Sequence, residues 1–268
     1  MAELSLQEIA RIADSIEAQE HPRDGAGKAI TWHSASRTDL GRVRHINQDA
    51  FLESPEQRLW VIADGMGGHS RGDYASSAVV NQLRAFPRQS SLLVNLQDLE
   101  ARLQAANEQC RTAFRNKRPG TTVVTMLAHG SHCFFLWAGD SRIYRLRDGQ
   151  LEQLTEDHSL ARQKVAHGQL TAEEAANHPS AHVLTRAVGI HENLKLELGY
   201  CAVEPNDRYL LCTDGLYNSL ELPDMRALLG HGGAQEACEN LVDRALECGG
   251  QDNITVIIVG ADPQSNAP

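Results

Sequence analysis

Four runs of apolar, strand-like residues in this chain each meet an aspartate, and that coincidence constrains the fold more than any other feature. LWVIA leads into Asp64-Gly65, FFLWAG into Asp140 and YLLCT into Asp214-Gly215, whereas Asp252-Asn253 leads into ITVIIV. In an antiparallel sheet the start of one strand lies beside the end of its neighbour, so three endings and one beginning can share a single sheet edge. Asp49, just ahead of AFLES, is a fifth candidate for that edge. Taken singly, each Asp-Gly is an ordinary turn signal, the aspartate bonding its own backbone. The shared context is what raises the possibility of a site.

Carboxylates gathered at one edge repel one another, and some must take up protons unless a cation compensates them. A set of oxygen donors with neither Cys nor regularly spaced His suits Mg²⁺ or Mn²⁺ rather than zinc. Gly65 is expected to let the chain turn and present its carbonyl, and Gly67-Gly68 to let the backbone pass close to ions and water. His158, His167, His178 and His182 are spaced by 9, 11 and 4, which fits no zinc pattern.

Composition excludes several classes. With 35 Asp and Glu against 25 Lys and Arg, the chain lacks the basic balance that nucleic acid or an anionic membrane would require. No apolar run approaches the ~20 residues that span a bilayer. The first 20 residues carry four Glu, one Asp and a single Arg, unlike a secretory signal. Six cysteines, at 110, 133, 201, 212, 238 and 248, form no C-x-x-C pair and read as reduced thiols. The expected setting is the cytoplasm, and the expected state a monomer.

The organisation follows from periodicity. Residues 1–28 read as an extension: Ser5 and Glu8 form a possible capping box, Ile9, Ile12 and Ile16 share a helical face, and HPRDGAGK is a linker. Strand patterns fill 29–64. A helix is expected over 72–86, ended by Pro87, and a longer one behind an Asn95 cap carries Leu96, Leu99, Leu103, Ala106 and Cys110 on one face. Strands return after PGTT, with RDGQ as a hairpin turn. Residues 155–190 are polar and His-rich and predict two short helices, the first capped by Asp157, the second by Thr171 with Glu174. Two more strands, helices near 223–229 and 233–247, and ITVIIVG complete the unit. Short turns between strands favour antiparallel pairing, and paired helices suggest that each pair covers one sheet. The fold expected is α+β, a four-layer α-β-β-α sandwich of two antiparallel sheets flanked by helix pairs.

At this level of detail the residues become familiar. GRVRHINQDAF (41–51), VIADGMGGHSRGDYAS (61–76), GTTVV (120–124), AGDSRIY (138–144), LLCTDGLYN (210–218) and GGQDNITVIIV (249–259) resemble, in order, the blocks of the metal-dependent type 2C (PPM) Ser/Thr protein phosphatases, bacterial branch. The resemblance implies a catalytic domain over 29–262, with a tail at 263–268 and a mobile flap at about 155–190. It implies two tight Mn²⁺ or Mg²⁺ ions, with Asp64 bridging both and Gly65 adding its carbonyl. Asp214 and Asp252 would hold one metal and Asp49 would approach the other through water. A third, weaker ion would sit between Asp140 and Asp214. Such a centre activates water for in-line attack on phosphoserine or phosphothreonine. Gln48 replaces the acidic residue of the familiar N-E-D triplet and is not counted as a ligand.

Arg44 is assigned to the phosphate, because a guanidinium fork matches two phosphoryl oxygens; the alternative is a solvated surface charge, as for Arg42. Met66 stands where some relatives have the histidine that protonates the leaving group, leaving His69, His158 or a water on the ions as donors. The partners implied are a phosphorylated protein and a cognate Ser/Thr kinase whose signal is reversed, with control of type VI secretion as one setting. Two rivals stay open here: a phosphatase of small molecules, and an inactive phosphoprotein-binding relative.

Overall fold

The computed structural model describes residues 11–12, 15, 30–67, 71–113, 119–176 and 178–263. The Ser5–Glu8 capping box, Ile9, Ile16, the 21–28 linker, Gly68, His69 and the end of the tail lie outside them. Ile12 packs, partly buried, against one of the hydrophobic cores.

Two antiparallel sheets form the centre. In the first, β1 (Ile30–Asp39), β11 (Ile254–Pro263), β10 (Asp207–Cys212), β7 (Arg142–Arg147) and β8 (Gln150–Gln153) lie in that order. In the second the order is β2 (Asp49–Ser54), β3 (Leu59–Met66), β5 (Val123–His129), β6 (His132–Ala138) and β9 (Glu197–Ala202), and the two-residue β4 (Gly120–Thr121) pairs with β3. Strands buried on both faces read as continuous apolar runs, and this is why ITVIIV and LWVIA carry no polar alternation.

One core, built on Trp60, Ile62, Phe135, Trp137, Leu211 and Ile257, lies between the sheets. A second joins the other face of β3 and β5 to α1 (Gly72–Arg84) and α2 (Leu92–Ala113) through Leu83, Leu96, Leu99 and Leu103. A third joins β10 and β11 to α6 (Leu222–Leu229) and α7 (Ala234–Glu247) through Met225, Leu229, Leu241 and Val242. The result is the α-β-β-α sandwich expected from the sequence. The RDGQ hairpin forms between β7 and β8, with Asp148 and Gly149 both at positive φ, the conformation a two-residue turn of this twist needs.

Two local expectations are corrected and a third holds. Asn95 is not a cap: α2 begins at Leu92, and the buried Asn95 side chain clamps Gln89, accepting from its N–H at 2.7 Å and donating to its carbonyl at 2.9 Å. The first flap helix, α3 (Leu160–Ala166), is capped by Ser159 rather than Asp157, the serine accepting from the Arg162 N–H at 3.2 Å. Asp157 instead takes a two-pronged contact from Arg142 at 2.9 and 2.7 Å. In the second flap helix, α4 (Ala172–Ala176), Thr171 and Glu174 do exchange the reciprocal bonds of a capping box.

Candidate metal centre

The starts of β2 and β11 and the ends of β3, β6 and β10 bring the five aspartates to one side of the sandwich. Asp64, Asp140, Asp214 and Asp252 line a single cavity of about 640 Å³ together with Arg44 and Gly65. Asp49 stands behind it, the register partner of Asp64 across the β2–β3 ladder.

Asp49 spans the two sheets. Its Oδ2 accepts from Thr213 Oγ1 at 3.0 Å and Thr255 Oγ1 at 2.7 Å, while its buried Oδ1 has no hydrogen-bond partner. Burial pushes the Asp49 carboxyl up to about 7 against the pull of those two hydroxyls, and the charges of Asp214 and Asp252 push the same way. Asp64 is held by its backbone: its N–H donates to Thr122 Oγ1 at 2.9 Å and its carbonyl accepts from Thr122 N–H and Thr121 Oγ1, each at 2.8 Å. Burial, then the charges of Asp49, Asp214, Asp140 and Asp252, raise its carboxyl well above the ordinary range.

Gly65 does not turn the chain, as the sequence suggested; β3 continues through it to Met66, with Gly65 paired to Thr121. Its glycine character has a steric cause. A Cβ there would lie 2.2 Å from the Gly72 carbonyl oxygen at the head of α1 and 2.5 Å from that of Gln48. Gly215 is constrained likewise, a Cβ falling 2.0 Å from the Asn253 carbonyl oxygen.

Asp140 occupies the β6–β7 turn. Burial first, then Asp214 and Asp157, push its carboxyl up to about 7, partly offset by its own backbone amide and Arg142. Tyr217 Oη donates to its backbone carbonyl at 3.0 Å. Asp214 opens the short helix α5 (Asp214–Tyr217) and is pushed up to about 6, by burial and then by Asp252, with His182, Arg44 and Arg142 easing it. Asp252 meets Arg44 in a fork, Nε donating at 2.8 Å and Nη2 at 2.6 Å. The guanidinium assigned to phosphate is thus engaged by a carboxylate of the centre itself.

Several residues with structural roles here went unread in the sequence. Thr213 and Thr255 anchor Asp49, and Asn253 ties the loop carrying Arg44 by accepting from the Gln48 N–H at 2.9 Å and donating to the Leu40 and Ile46 carbonyls. The only signal for them was their place beside the strand-end aspartates. His182 also lines the cavity, its Nδ1 4.0 Å from Asp214 Oδ2. His158 is buried instead: Gly139 N–H donates to its Nδ1 at 3.1 Å, so Nε2 carries the proton shared with Glu197 at 2.9 Å. Both nitrogens are used, which removes His158 as a donor to a leaving group.

These residues fit divalent cations. Asp49, Asp64, Asp140 and Asp214 each have a carboxyl pushed up by burial and by acidic neighbours, and the Asp49 Oδ1 is a buried acceptor with nothing to accept from; a cation resolves both conditions. Among the described residues no three His, Cys, Asp or Glu side chains converge as a single preformed cage. The carboxylate oxygen donors lining the cavity suit Mg²⁺ and Mn²⁺, which take carboxylates and keep several waters.

A sequence profile described as protein phosphatase 2C matches residues 42–248. The chain belongs to the protein phosphatase 2C family. Within it, the serine/threonine phosphatase stp of Listeria welshimeri is 34% identical over 239 residues, 85% of this chain and 95% of that protein. Among solved structures of this family, one described as PppA, a key regulatory component of T6SS in Pseudomonas aeruginosa, is 40% identical with a TM-score of 0.80, covering 87% of this chain and 99% of that one. The catalytic domain of the serine/threonine protein phosphatase PstP, in complex with two manganese ions, is 32% identical with a TM-score of 0.76, covering 87% of this chain and all of that domain. As a protein phosphatase 2C, the chain is a metal-dependent phosphoprotein phosphatase acting on serine and threonine.

Proposed function

We propose that Asp64, Gly65, Asp49, Asp214 and Asp252 hold two tight Mn²⁺ or Mg²⁺ ions, and that Asp140 with Asp214 holds a third, weaker one. The observation that carries this reading is the cavity wall itself: four aspartates from four strand ends, with the unpartnered Asp49 Oδ1 behind them. Bound there, the ions supply an activated water at neutral pH and polarise the phosphoryl oxygens.

The chain's own residues supply position. Arg44 binds the phosphoryl group through the fork that now faces Asp252, the charge-assisted geometry being the same for phosphate and carboxylate. Thr213 and Thr255 fix Asp49 on one oxygen and leave the other for a ligand. Gly65 and Gly215 let backbone close in where any side chain would collide.

Residues 29–262 act as the catalytic unit, with 1–28 as an extension and 155–190 as the flap. The substrate is a phosphorylated protein, the chain opposes a cognate Ser/Thr kinase, and it works as a cytoplasmic monomer. Among the described residues no helix is long and apolar enough to cross a membrane, which is consistent with that setting. The 40% identity to PppA supports a role in type VI secretion control. The test is phosphate release from phosphoserine, phosphothreonine and phosphotyrosine peptides, with chelator and with Mn²⁺. Release from the first two only with metal is expected; metal-independent release would overturn the two-ion reading.

A further inference from the structure

Among the described residues nine large apolar side chains are exposed, and five of them sit on the Arg44 loop (40–46) or on the stretch 160–184 of the flap, the two segments that border the metal cavity. Leu40, Val43 and Ile46, exposed by 38%, 52% and 45%, belong to the loop that supplies Arg44; Leu160 and Val183, exposed by 37% and 49%, belong to the flap. Val43 adjoins Arg44, and Val183 stands between His182 and Leu184, which both line the cavity. The two flap residues are joined, Leu160 N–H donating to the Val183 carbonyl at 2.8 Å. Single exposed aliphatics are ordinary on a protein surface, but a concentration beside a functional cavity marks an interaction site.

The loop is fixed without help from these side chains. Asn253 Nδ2 donates to the Leu40 carbonyl at 2.9 Å and to that of Ile46 at 3.1 Å, and Arg42 N–H donates to the Gly250 carbonyl at 2.8 Å. Gly41 takes φ +79 and packs so closely on Asp252 that a Cβ would lie 2.2 Å from its carbonyl oxygen. Backbone bonds therefore hold the loop, while the aliphatic tips remain in water.

We propose that these five side chains form a specificity surface for aliphatic residues immediately beside the phosphorylated serine or threonine. The proposal rests on the phosphatase reading of the same cavity. A phosphorylated side chain that reaches Arg44 from an extended segment must carry its two neighbours across this rim. Partial burial of an aliphatic neighbour there is worth about tenfold in affinity.

The experiment compares kcat/KM on two phosphothreonine peptides that differ only in the residues flanking phosphothreonine, Leu and Val in one and Ser and Gly in the other. p-Nitrophenyl phosphate, which has no flanks, is the third substrate, and Mn²⁺ is present throughout. The wild-type protein should prefer the aliphatic peptide about tenfold, chiefly through KM. The double variant Val43→Ser/Ile46→Ser, and separately Val183→Ser, should bring that peptide down towards the Ser/Gly value and leave p-nitrophenyl phosphate unchanged. Equal wild-type values for the two peptides would overturn the proposal. So would variants that slow all three substrates by one factor, since the loop would then serve only to carry Arg44. Failure to hydrolyse any of the three would instead overturn the phosphatase reading, and the surface with it.

Discussion

Asp49 and Asp64 face each other directly across the β2–β3 ladder, two carboxylates in register at one end of a sheet. Like charges so placed destabilise a strand pair, and here burial adds to the conflict. Asp49→Asn should therefore raise the melting temperature of the chelated protein by a few degrees, roughly 1 kcal/mol for a domain of this size. The same variant should lose most of the upward shift that Mn²⁺ gives the wild-type protein, because ligand-induced stabilisation follows affinity. Melting curves with chelator and with Mn²⁺ check both halves; an unchanged Mn²⁺ shift would remove Asp49 from the centre.

Arg44 concerns substrate rather than ions. Its fork makes two charge-assisted bonds, each worth about 1.5–3 kcal/mol to a charged partner, so Arg44→Ala should lower kcat/KM on a phosphopeptide by about 10²-fold or more. Metal affinity should hold, since removing a competitor for Asp252 frees that carboxylate. By contrast Asp214→Ala should lose metal affinity and turnover together. Calorimetric Mn²⁺ titration beside steady-state kinetics separates the two variants, and equal Mn²⁺ binding by Asp214→Ala and wild type would refute the ligand assignment.

What the sequence made legible was whatever depends on local pattern. Strand runs ending in Asp64, Asp140 and Asp214 could be aligned by the antiparallel rule alone, and the layers followed from paired amphipathic helices. Partners distant along the chain were hidden. Thr255 reaches Asp49 across 206 residues and Asn253 reaches the Arg44 loop across about as many, and nothing in a threonine or asparagine announces such a bond. The misread caps have a common physical cause. Asn95 and Asp157 are residue types that cap helices, but their side chains found stronger uses, one in a buried loop clamp and one with Arg142. Gly65 was read as a turn residue when the head of α1 demanded its lack of a side chain.

The flap base supplies a pH test away from the metal residues. Burial favours the neutral form of Glu197, but the hydrogen bond from His158 and the charge of Arg186 outweigh it and hold the carboxyl below its usual range. A carboxyl depressed in the folded state stabilises it at pH values above the unfolded pKa, and that contribution is lost as pH falls through the folded one. Glu197→Gln should thus lower the melting temperature at pH 7, and the gap to wild type should begin to narrow only below the ordinary glutamate value of 4.5, closing as pH falls through the depressed folded one. A gap that stayed constant or widened in acid would show that His158 does not hold Glu197 ionised.

Asp140 tests the third, weaker ion proposed above. Its turn is secured by backbone bonds: Gly139 N–H donates to His158, and Tyr217 Oη donates to the Asp140 carbonyl. Truncating the side chain leaves both in place, so Asp140→Ala should fold and melt near the wild-type temperature. It also removes a buried carboxyl pushed up to about 7 by burial and by its acidic neighbours, which argues against a net stabilising role for that side chain. The tight pair should still bind, with no added Mn²⁺ needed to fill it, because Asp49, Asp64, Asp214 and Asp252 are untouched. Turnover on phosphopeptides should nevertheless fall by 10²-fold or more, the scale on which electrostatic stabilisation of developing charge operates. Metal titration beside thermal melting and kinetics makes the comparison. A large drop in melting temperature with unchanged turnover at a permissive temperature would make Asp140 a turn cap and nothing more.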